Sequence, residues 1–423
     1  MKVLIIGGGG REHALCWKVA QSHAVRKIYC LPGNAGTAEL AENVDIAVTD
    51  IQAILQFAQH QQIDLTVVGP EKPLILGIVD AFEAAGLRIF GPSKESAQLE
   101  GSKVFSKRLM QHTGVPTAKF EVFESATDAF AFLETARFPI VVKADGEAAG
   151  KGVVVAQNLE EAQCAVTRIM VTREFGTSGD KILFEECLVG PEVSLMAFVD
   201  GDTVVPMVLA QDHKRIGEGD TGPNTGGMGA FAPVPNIDTV SMNEMCERIL
   251  TPVVRAIKST GIPYRGVLFA GIMMTDQGPM CLEYNCRFGD PETEVVLLLL
   301  ETDLVQVMEA CIDSRLDSLP IQFSNRSAVT VVLAAHGYPG NVRVGDTVTG
   351  LDEAQKLDAV AVFHAGTVLS DTGECRSSGG RILTVTATGD SFKEARERAY
   401  TALDRIHCDG GQFRRDIGWR AVD

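Results

Sequence analysis

The first hundred residues constrain the fold most, because short β-branched runs alternate there with amphipathic stretches. The runs are KVLII (2–6), KIYCL (27–31), LTVVG (65–69) and LRIFG (87–91), and the stretches between them include REHALCWKVAQ and DIQAILQFAQHQ. Strand–helix alternation at this spacing predicts a doubly wound parallel sheet. The runs lead into the turn sequences GGGG, LPGN, VGPE and FGPS. Because ligands gather at the carboxyl ends of strands in open α/β sheets, we expect a binding site at these turns.

The sequence pattern changes after Gly101. A helix over GSKVFSKRLMQHTGVP is followed by a compact βαβ-like unit, made of FPIVVKADG, VVVAQ, LEEAQCAVTRIM and KILFEECL, which resembles a small lid. EVSLMAFVDG and TVVPMVLAQDH predict a hairpin around Asp200-Gly201. The long glycine-rich segment QDHKRIGEGDTGPNTGGMGAFAP is expected to be a functional or disordered loop. From about residue 323 the chain is rich in strand patterns and ends in one helix, FKEARERAYTALDRI.

These patterns predict an α/β fold class, in a multidomain chain of α+β organisation. We expect an N-terminal domain with the doubly wound sheet at 1–100, a central domain at 101–322 with its lid at about 120–188, and a β-rich C-terminal domain at 323–423.

The acidic composition excludes some classes of function. The 423-residue chain carries a formal net charge of -17, which disfavours binding to nucleic acid. Its ten cysteines form no CxxC pair, which is typical of reduced thiols in a cytosolic protein. The start does not resemble a signal peptide, and the longest apolar run, VVLLLL, is far too short to cross a membrane. We therefore expect a cytoplasmic protein. If so acidic a chain binds phosphates, it must do so with local lysines, arginines and backbone amides.

The N-terminal GGGGREH motif does not fit a dinucleotide-binding fingerprint. Glu12 stands where that fingerprint needs glycine or alanine, and KIYCL ends in Pro-Gly-Asn instead of an acid. What remains is a predicted anion site, with free backbone amides at a helix start and Arg11 beside them. A glycine turn needed only for packing is the alternative.

The segment CLEYNCRFGDPET, from Cys281 to Thr293, carries the strongest chemical signal. Residues two apart in a strand share a face, so Glu283, Asn285 and Arg287 are expected to point one way. Leu282, Tyr284 and Cys286 are expected to pack on the other face. A carboxylate and an amide oxygen together suit Mg²⁺, and an adjacent arginine suits phosphoryl transfer. The alternative is a solvent-facing strand edge without function.

Two further segments carry polar residues in suggestive patterns. EECLVGPE (185–192) can offer backbone groups to an adenine edge and a carboxylate to ribose, although an exposed acidic turn explains it equally well. QDHKRIGEGD combines Asp212, His213 and Lys214 with a nearby glycine cluster. A metal site on His213 is disfavoured, because no His or Cys stands at ligand spacing from it.

Together these motifs resemble one family over essentially the whole chain. They are GGGGREHAL, LPGNAGT, VGPE, FGPS, GSKVFSK, KADGEAAGKGV, QDHKRIGEGDTGPNTGGMGA, FAG, EYNCRFGDPET, FHAGT, SGGR and DIGWR. The chain resembles the stand-alone phosphoribosylamine–glycine ligases, which are ATP-grasp enzymes of purine biosynthesis. The resemblance implies that ATP, glycine and 5-phosphoribosylamine give glycinamide ribonucleotide, ADP and phosphate through glycyl phosphate. It implies ATP and Mg²⁺ (or Mn²⁺) as cofactors.

The resemblance also assigns roles by matching positions. Glu283 and Asn285 would bind the metal, and Arg287, Asp290, Asp212 and Lys214 would line the reacting centre. ATP would be bound at its phosphates by Lys103, Lys143, Gly146, Gly150 and Gly152, at its adenine by Glu185, Glu186 and Leu188, and at its ribose by Glu192. Phosphoribosylamine would be bound by Gly10, Arg11, Asn34, Gly69, Glu71 and Arg381.

The loop KADGEAAGKGVVV (143–155) is then interpreted as a turn that covers the ATP phosphates. It is not a P-loop, since Gly146 and Gly150 enclose only three residues and Gly152 follows Lys151. Lys143 would supply the charge. Glu147, where the family often has an apolar residue, is expected to point away from the phosphates.

The strand VLFAGIMM carries no acid, which leaves a second metal position open. The expected partners are small-molecule substrates, with no nucleic acid and no membrane. A transient contact with the preceding amidotransferase stays open, as does the choice between a monomer and a weak dimer. The alternative functions are another ATP-grasp carboxylate–amine ligase or carboxylase, and a nucleotide sensor without turnover.

Overall fold

The computed structural model describes residues 1–146 and 152–422. Its first part contains β1 (Lys2–Gly7), α1 (Gly10–Val19), β2 (Lys27–Pro32), α2 (Thr37–Leu40), β3 (Glu42–Asn43), α3 (Ile51–Gln61), β4 (Leu65–Val68), α4 (Glu71–Leu76), α5 (Ile78–Ala84) and β5 (Ile89–Phe90). The strands pair in parallel in the order β3-β2-β1-β4-β5. This confirms the doubly wound sheet. β2 and β3 follow β1 on one side of it in the sheet, and β4 and β5 lie on its other side. The strand order therefore reverses between β1 and β4, which is where such sheets bind ligands.

The segment predicted to be a lid, at about 120–188, contains an antiparallel sheet. This part contains α6 (Gln98–Gly101), α7 (Lys103–Thr113), β6 (Phe120–Phe123), α8 (Ala126–Leu133), β7 (Ile140–Ala144), β8 (Val153–Ala156), α9 (Leu159–Val166) and β9 (Ile182–Glu186). The strand order is β6-β9-β7-β8. β8 and β9 both run antiparallel to β7 and are joined through α9, which agrees with the βαβ-like pattern. Ser102 caps α7 by accepting the Phe105 N–H, and Gly114, at φ +73, ends it.

The central part contains β10 (Glu192–Val199), β11 (Val204–Pro206), β12 (Gln211–Asp212), β13 (Arg215–Gly217), β14 (Thr221–Asn224), β15 (Gly229–Ala232), α10 (Thr239–Met245), α11 (Thr251–Ser259), β16 (Gly266–Thr275), β17 (Gly278–Asn285), α12 (Glu292–Leu299) and α13 (Leu304–Ile312). β11, β10, β16 and β17 form an antiparallel sheet in that order. β10 and β11 form the predicted hairpin.

The glycine-rich segment is not the long irregular loop that its composition suggested, since β12 to β15 lie within it. Gly229 shows why glycine occurs there. Its φ is +152, and a Cβ atom would stand 2.5 Å from the backbone oxygen of Thr330. The glycines let this segment lie directly against the next strand of the same sheet.

The last part contains β18 (Ser327–Ala334), β19 (Val348–Thr349), α14 (Leu351–Gln355), β20 (Val360–His364), β21 (Thr367–Leu369), β22 (Cys375–Ser377), β23 (Arg381–Gly389), α15 (Phe392–Leu403), β24 (His407–Cys408) and α16 (Trp419–Val422). Its main sheet has the order β12-β15-β18-β23-β20. The C-terminal part is therefore strand-rich, as expected. Two strands of the central segment join this sheet, and the division at 1–100, 101–322 and 323–423 remains a proposal.

The helix α12 lies at the centre of the molecule. It packs against α1 on one side and against β15, β18 and β23 on the other. Its first-turn residues Glu292, Thr293 and Glu294 are buried with its apolar residues. The loop between β17 and α12 is thereby held at the meeting point of the N-terminal, central and C-terminal sheets. Within the described parts of the chain, no helix is both long and apolar enough to cross a membrane.

Candidate active site

The metal prediction falls on β17, whose side chains alternate as expected near its end. Glu283, Asn285 and Arg287 are partly exposed, while Tyr284 and Cys286 are buried. The expectation for Leu282 was wrong, because this residue is also partly exposed. The register shifts there, with Gly271 opposite Glu283 and Ile272 opposite Cys281, so Cys281 takes the buried position. This β-bulge interrupts the alternation at Leu282, while Glu283 and Asn285 share a face by the two-residue period of the strand.

Glu283 has the properties of a metal ligand. Its carboxylate has no cationic side chain within 4.0 Å among the described residues. Burial opposes its ionisation, but Lys143, Lys214 and Lys103 hold its pKa below the usual value. A charged carboxylate without a direct partner, next to an amide oxygen, fits Mg²⁺ or Mn²⁺.

No set of three His, Cys, Asp or Glu side chains in residues 1–146 and 152–422 is placed to hold a metal alone. Phosphate oxygens and water would therefore complete the site on Glu283 and Asn285. His213 is not part of it. His213 is fully buried, its Nε2 accepts the Gly418 N–H at 3.0 Å, and its Nδ1 lies 3.8 Å from Asp220.

Arg287 is fixed by carboxylates from the N-terminal part of the chain. Its NH2 lies 3.0 Å from Glu100 and its Nε lies 3.5 Å from Glu71. The same guanidinium donates to Asn285 Oδ1 at 3.3 Å. Glu100 also accepts the Cys286 N–H at 2.7 Å. Glu100 was missed by the sequence analysis, because nothing in QLEGSK connects it with a strand that lies 186 residues further along.

The turn after β1 differs from the prediction of free backbone amides. The carboxylate of Glu12 accepts the Gly9 N–H at 2.6 Å and the Arg11 Nε–H at 2.6 Å. The helix start is therefore partly satisfied by its own third residue. The spacing Gly9-x-x-Glu12 supplies only the glutamate half of a capping box, since glycine has no side chain to cap the helix in return.

Arg11 bridges this turn to the loop that follows β17. It donates to the Phe288 carbonyl at 3.0 Å. Burial opposes its charge, but the carboxylates of Glu12, Asp290 and Glu71 raise the pKa of Arg11. The arginine therefore remains a cation beside Gly10, where the sugar phosphate is expected.

Asn34 shapes the same turn from behind. Its amide donates to the carbonyls of Gly8 at 3.0 Å and His364 at 2.7 Å, and its oxygen accepts the N–H groups of Gly36 and Thr37 at 2.9 Å. A contact from Asn34 to substrate therefore remains a prediction. Gly69 lies opposite Glu12, and a Cβ atom on it would stand 2.1 Å from the Glu12 carboxylate.

Lys103 begins α7 and contacts the start of the predicted phosphate loop. Its ammonium donates to the Gly146 carbonyl at 3.0 Å. Asp145, which the sequence analysis did not single out, accepts from the Ser102 hydroxyl at 3.0 Å and from the Val104 N–H at 2.8 Å. The loop is thus tied to the N-terminus of α7 where it leaves β7.

Lys143 is held on the other side by Glu185. Its ammonium lies 2.9 Å from Glu185 Oε1, and the ammonium of Lys107 lies 2.9 Å from Oε2. Because the Glu185 side chain is buried between two lysines, the predicted contact to adenine would come from its backbone. Lys107 was missed, although it stands four residues after Lys103 on the same helix face.

Two of the residues predicted at the reacting centre, Asp212 and Lys214, belong to one ion network. Lys214 pairs with the carboxylate of Glu192. Burial raises the pKa of Asp212 to about 7, with Lys214 opposing and Glu292 and Glu192 adding to the shift. Burial opposes the charge of Lys214, but Asp212, Glu192 and Glu283 raise its pKa. Glu192, predicted to hold ribose, is engaged by Lys214 in this structure.

Asp290 and Arg381 meet at the start of α12. Arg381 NH1 lies 2.9 Å from the Asp290 carboxylate and donates to the carbonyls of Asp290 at 3.1 Å and Gly226 at 2.5 Å. Gly226 belongs to the glycine-rich segment, so three distant stretches converge here. Glu294, also missed, is fully buried beside them.

The structure thus brings most of the predicted residues to one region. Glu186 is exposed, Leu188 is partly buried, and Gly152 accepts the Ala144 N–H at 2.9 Å. Gly150, Glu147 and Lys151 lie outside the described residues, so the roles predicted for them remain predictions. The ligand contacts of the other predicted residues also remain predictions.

Comparison with known proteins identifies the family. Models described as the N domain, the ATP-grasp (A) domain and the C domain of phosphoribosylglycinamide synthetase match residues 1–100, 101–293 and 328–420. A phosphoribosylamine–glycine ligase of Salmonella typhimurium is 50% identical over 426 residues, which cover 100% of this chain and 99% of the relative.

Solved structures agree. The crystal structure of a phosphoribosylamine–glycine ligase from Thermotoga maritima has a TM-score of 0.85 at 33% identity, covering 98% of this chain and 100% of that one. A biotin carboxylase from Campylobacter jejuni, solved as a beta-gamma-ATP complex, has a TM-score of 0.75 at 16% identity. The match covers 97% of this chain and 92% of that one, and the two share the fold. The family expected from the motifs is thereby confirmed: this chain belongs to the phosphoribosylamine–glycine ligase family of ATP-grasp proteins.

Proposed function

We propose that this chain ligates glycine to 5-phosphoribosylamine with ATP, giving glycinamide ribonucleotide, ADP and phosphate. The observation that carries the proposal is the shared face of β17. Glu283 and Asn285 lie there beside Arg287, and the charges of Lys103, Lys143 and Lys214 act on Glu283. Membership of the family supplies the identity of the substrates.

The reaction has two steps. The glycine carboxylate attacks the γ-phosphorus of ATP, and the bond to ADP breaks, which leaves glycyl phosphate. The phosphoribosylamine nitrogen then attacks the glycyl carbonyl carbon, the C–O bond to phosphate breaks, and the nitrogen loses a proton.

The chain's own residues orient and neutralise these groups. Lys103 and Lys143 would bind the phosphates, and Arg287, fixed by Glu100, would stabilise charge on the transferring phosphoryl group. Arg11 and the amides at the start of α1 would bind the sugar phosphate. Mg²⁺ or Mn²⁺ on Glu283 and Asn285 would neutralise phosphate charge. Asp212, whose pKa is about 7, lies near Lys214 and is suited to accept a proton at neutral pH.

Omission of single substrates tests the proposal. ADP release should require both glycine and phosphoribosylamine, and the product should contain both. ADP release that needs phosphoribosylamine but persists without glycine would instead favour another ATP-grasp ligase or carboxylase. Binding of nucleotide without any turnover would favour a sensor.

We further propose that the chain acts in the cytoplasm as a monomer or weak dimer. A transient contact with the amidotransferase that makes phosphoribosylamine would shorten the time this labile amine spends in water. Sedimentation velocity, on the chain alone and mixed with that enzyme, measures the mass of each species. A stable higher oligomer would contradict the first statement, and unchanged sedimentation of the mixture would contradict the second.

A further inference from the structure

A buried carboxylate holds two lysines at the base of the lid. Glu185 and Lys107 each expose 2% of their side chains, and Lys143 exposes 9%. Both ammonium groups lie 2.9 Å from the same carboxylate, one on each oxygen. Two positive charges therefore share one negative charge in a place with little water to screen them.

The three residues come from three elements. Lys107 is on α7, Lys143 on β7 and Glu185 on β9, where Val141 and not Lys143 stands directly opposite Glu185. The ion pair between β7 and β9 is thus a diagonal one. Lys107 approaches it from outside the lid sheet, so its ammonium joins the sheet to the helix whose first residue is Lys103.

Lys107 has a second anchor that leads to the metal-bearing strand. Its ammonium donates to the Thr117 hydroxyl at 2.7 Å, and that hydroxyl donates to the Cys281 carbonyl at 2.6 Å. The Cys281 N–H donates to the Pro116 carbonyl at 2.7 Å. Lys107 is therefore fixed relative to β17, two residues before Glu283.

Lys143 is held less completely. An ammonium group has three N–H donors. Lys143 Nζ lies 2.9 Å from Glu185 Oε1, but this ion pair lacks hydrogen-bond geometry, since that oxygen has no hydrogen-bond partner in residues 1–146 and 152–422. Among the described residues, no acceptor takes a hydrogen bond from Lys143. Within this part of the structure, Lys143 therefore has N–H donors to spare for a ligand.

We propose that Lys107 is a positioning residue that shares the Glu185 carboxylate and thereby keeps the Lys143 ammonium available to an ATP phosphate. This inference rests on the proposed function, which assigns Lys143 to the phosphates. With Lys107 present, Glu185 cannot neutralise Lys143 completely. Without it, the full carboxylate charge would draw Lys143 into a closed pair, away from the nucleotide.

The test is Lys107→Met, which keeps the length of the side chain and removes its charge. The Kd of a non-hydrolysable ATP analogue with Mg²⁺ should rise about tenfold, as for loss of one hydrogen bond to a charged group. The KM for ATP should rise by the same factor, while the KM for glycine stays unchanged. Thr117→Val, which removes only the second anchor of Lys107, should raise Kd about threefold.

Rescue separates positioning from a merely structural role. Lys107→Met combined with Glu185→Gln frees Lys143, so nucleotide affinity should return to within a few-fold of the parent. A structural role would instead make the two losses add. Lys181→Met is the matched control, because it also removes a lid lysine that pairs with a glutamate, Glu124 at 2.9 Å. It should leave Kd unchanged.

The two proposals fail in different ways. Unchanged analogue binding by Lys107→Met, or no rescue by the second substitution, overturns the role of Lys107 even if the ligase reaction is confirmed. Absence of glycine-dependent ADP release from the parent overturns the proposed function, while analogue binding still reports on Lys107. The thermal transition of Lys107→Met shows whether this variant folds. If it does not, the Kd values of Thr117→Val and of Thr117→Val combined with Glu185→Gln decide whether Lys107 positions Lys143.

Discussion

Burial and neighbouring charges together determine the protonation states of Glu283 and Asp212 at the candidate site. Lysines keep the pKa of Glu283 low, whereas burial raises the pKa of Asp212 to about 7. These two acids of the candidate site therefore have different uses at neutral pH. The ionised one suits a metal and the half-protonated one suits proton transfer.

Glu283→Gln tests whether Glu283 is a ligand of Mg²⁺. The amide keeps the size of the side chain but removes the charge that would bind Mg²⁺. The Mg²⁺ concentration needed for half-maximal ADP release should rise by at least the roughly 10–100-fold that loss of an outer-shell metal partner costs. Glu301→Gln, at an exposed position, is the control and should change nothing. A Mg²⁺ dependence equal to that of the parent would show that Glu283 is not a ligand.

Among the elements, those with strong periodicity were predicted well. Residue spacing predicts four of the five N-terminal strands, the helix after Ser102, and the shared face of Glu283, Asn285 and Arg287. What spacing does not contain is the set of contacts between elements distant in sequence. Glu100, Lys107 and Glu294 were missed for this reason, since each contacts its neighbours only once the sheets are assembled. The prediction for Leu282 was wrong for a local reason, because a bulge interrupts the two-residue period of the strand.

The turn between β1 and α1 yields a prediction about packing. Glu12 is buried and held by Gly9 and Arg11, and it fills the space beside Gly69. Gly69→Ala should lower the free energy of unfolding by about 1–3 kcal/mol, as overpacking of a close-packed site does. Urea denaturation measures this value.

A double-variant cycle identifies the cause of that loss. In a Glu12→Ala background the new methyl group has room, so Gly69→Ala should cost much less there. Gly101→Ala is the control, because a Cβ atom on Gly101 would meet Ile75 at an ordinary distance of 3.4 Å. Equal costs of Gly69→Ala in both backgrounds would show that Glu12 is not what the methyl group meets.

At the scale of the whole molecule, α12 joins the N-terminal and C-terminal sheets and buries a carboxyl group between them. Both oxygens of Glu294 lack a hydrogen-bond partner among the described residues. A Cβ atom on Gly10 would lie 2.7 Å from one of them. Burial raises the pKa of Glu294 well above its usual value, Asp290 and Glu292 add to this, and Arg381 opposes it.

This burial makes stability depend on pH in a defined direction. Above the unfolded pKa of a glutamate, about 4.3, the unfolded chain loses this proton while the folded chain keeps it. The folded state then binds more protons, so its stability falls as pH rises towards the folded pKa of Glu294, by up to about 1.4 kcal/mol per pH unit. Glu294→Gln removes this loss and should stabilise the protein at pH 8 relative to pH 5. Urea unfolding of parent and variant at both pH values measures the difference, with Glu301→Gln as the exposed control. An equal effect of Glu294→Gln at both pH values would mean that the folded state ionises this group as readily as the unfolded chain does, so that α12 carries a buried charge between the sheets.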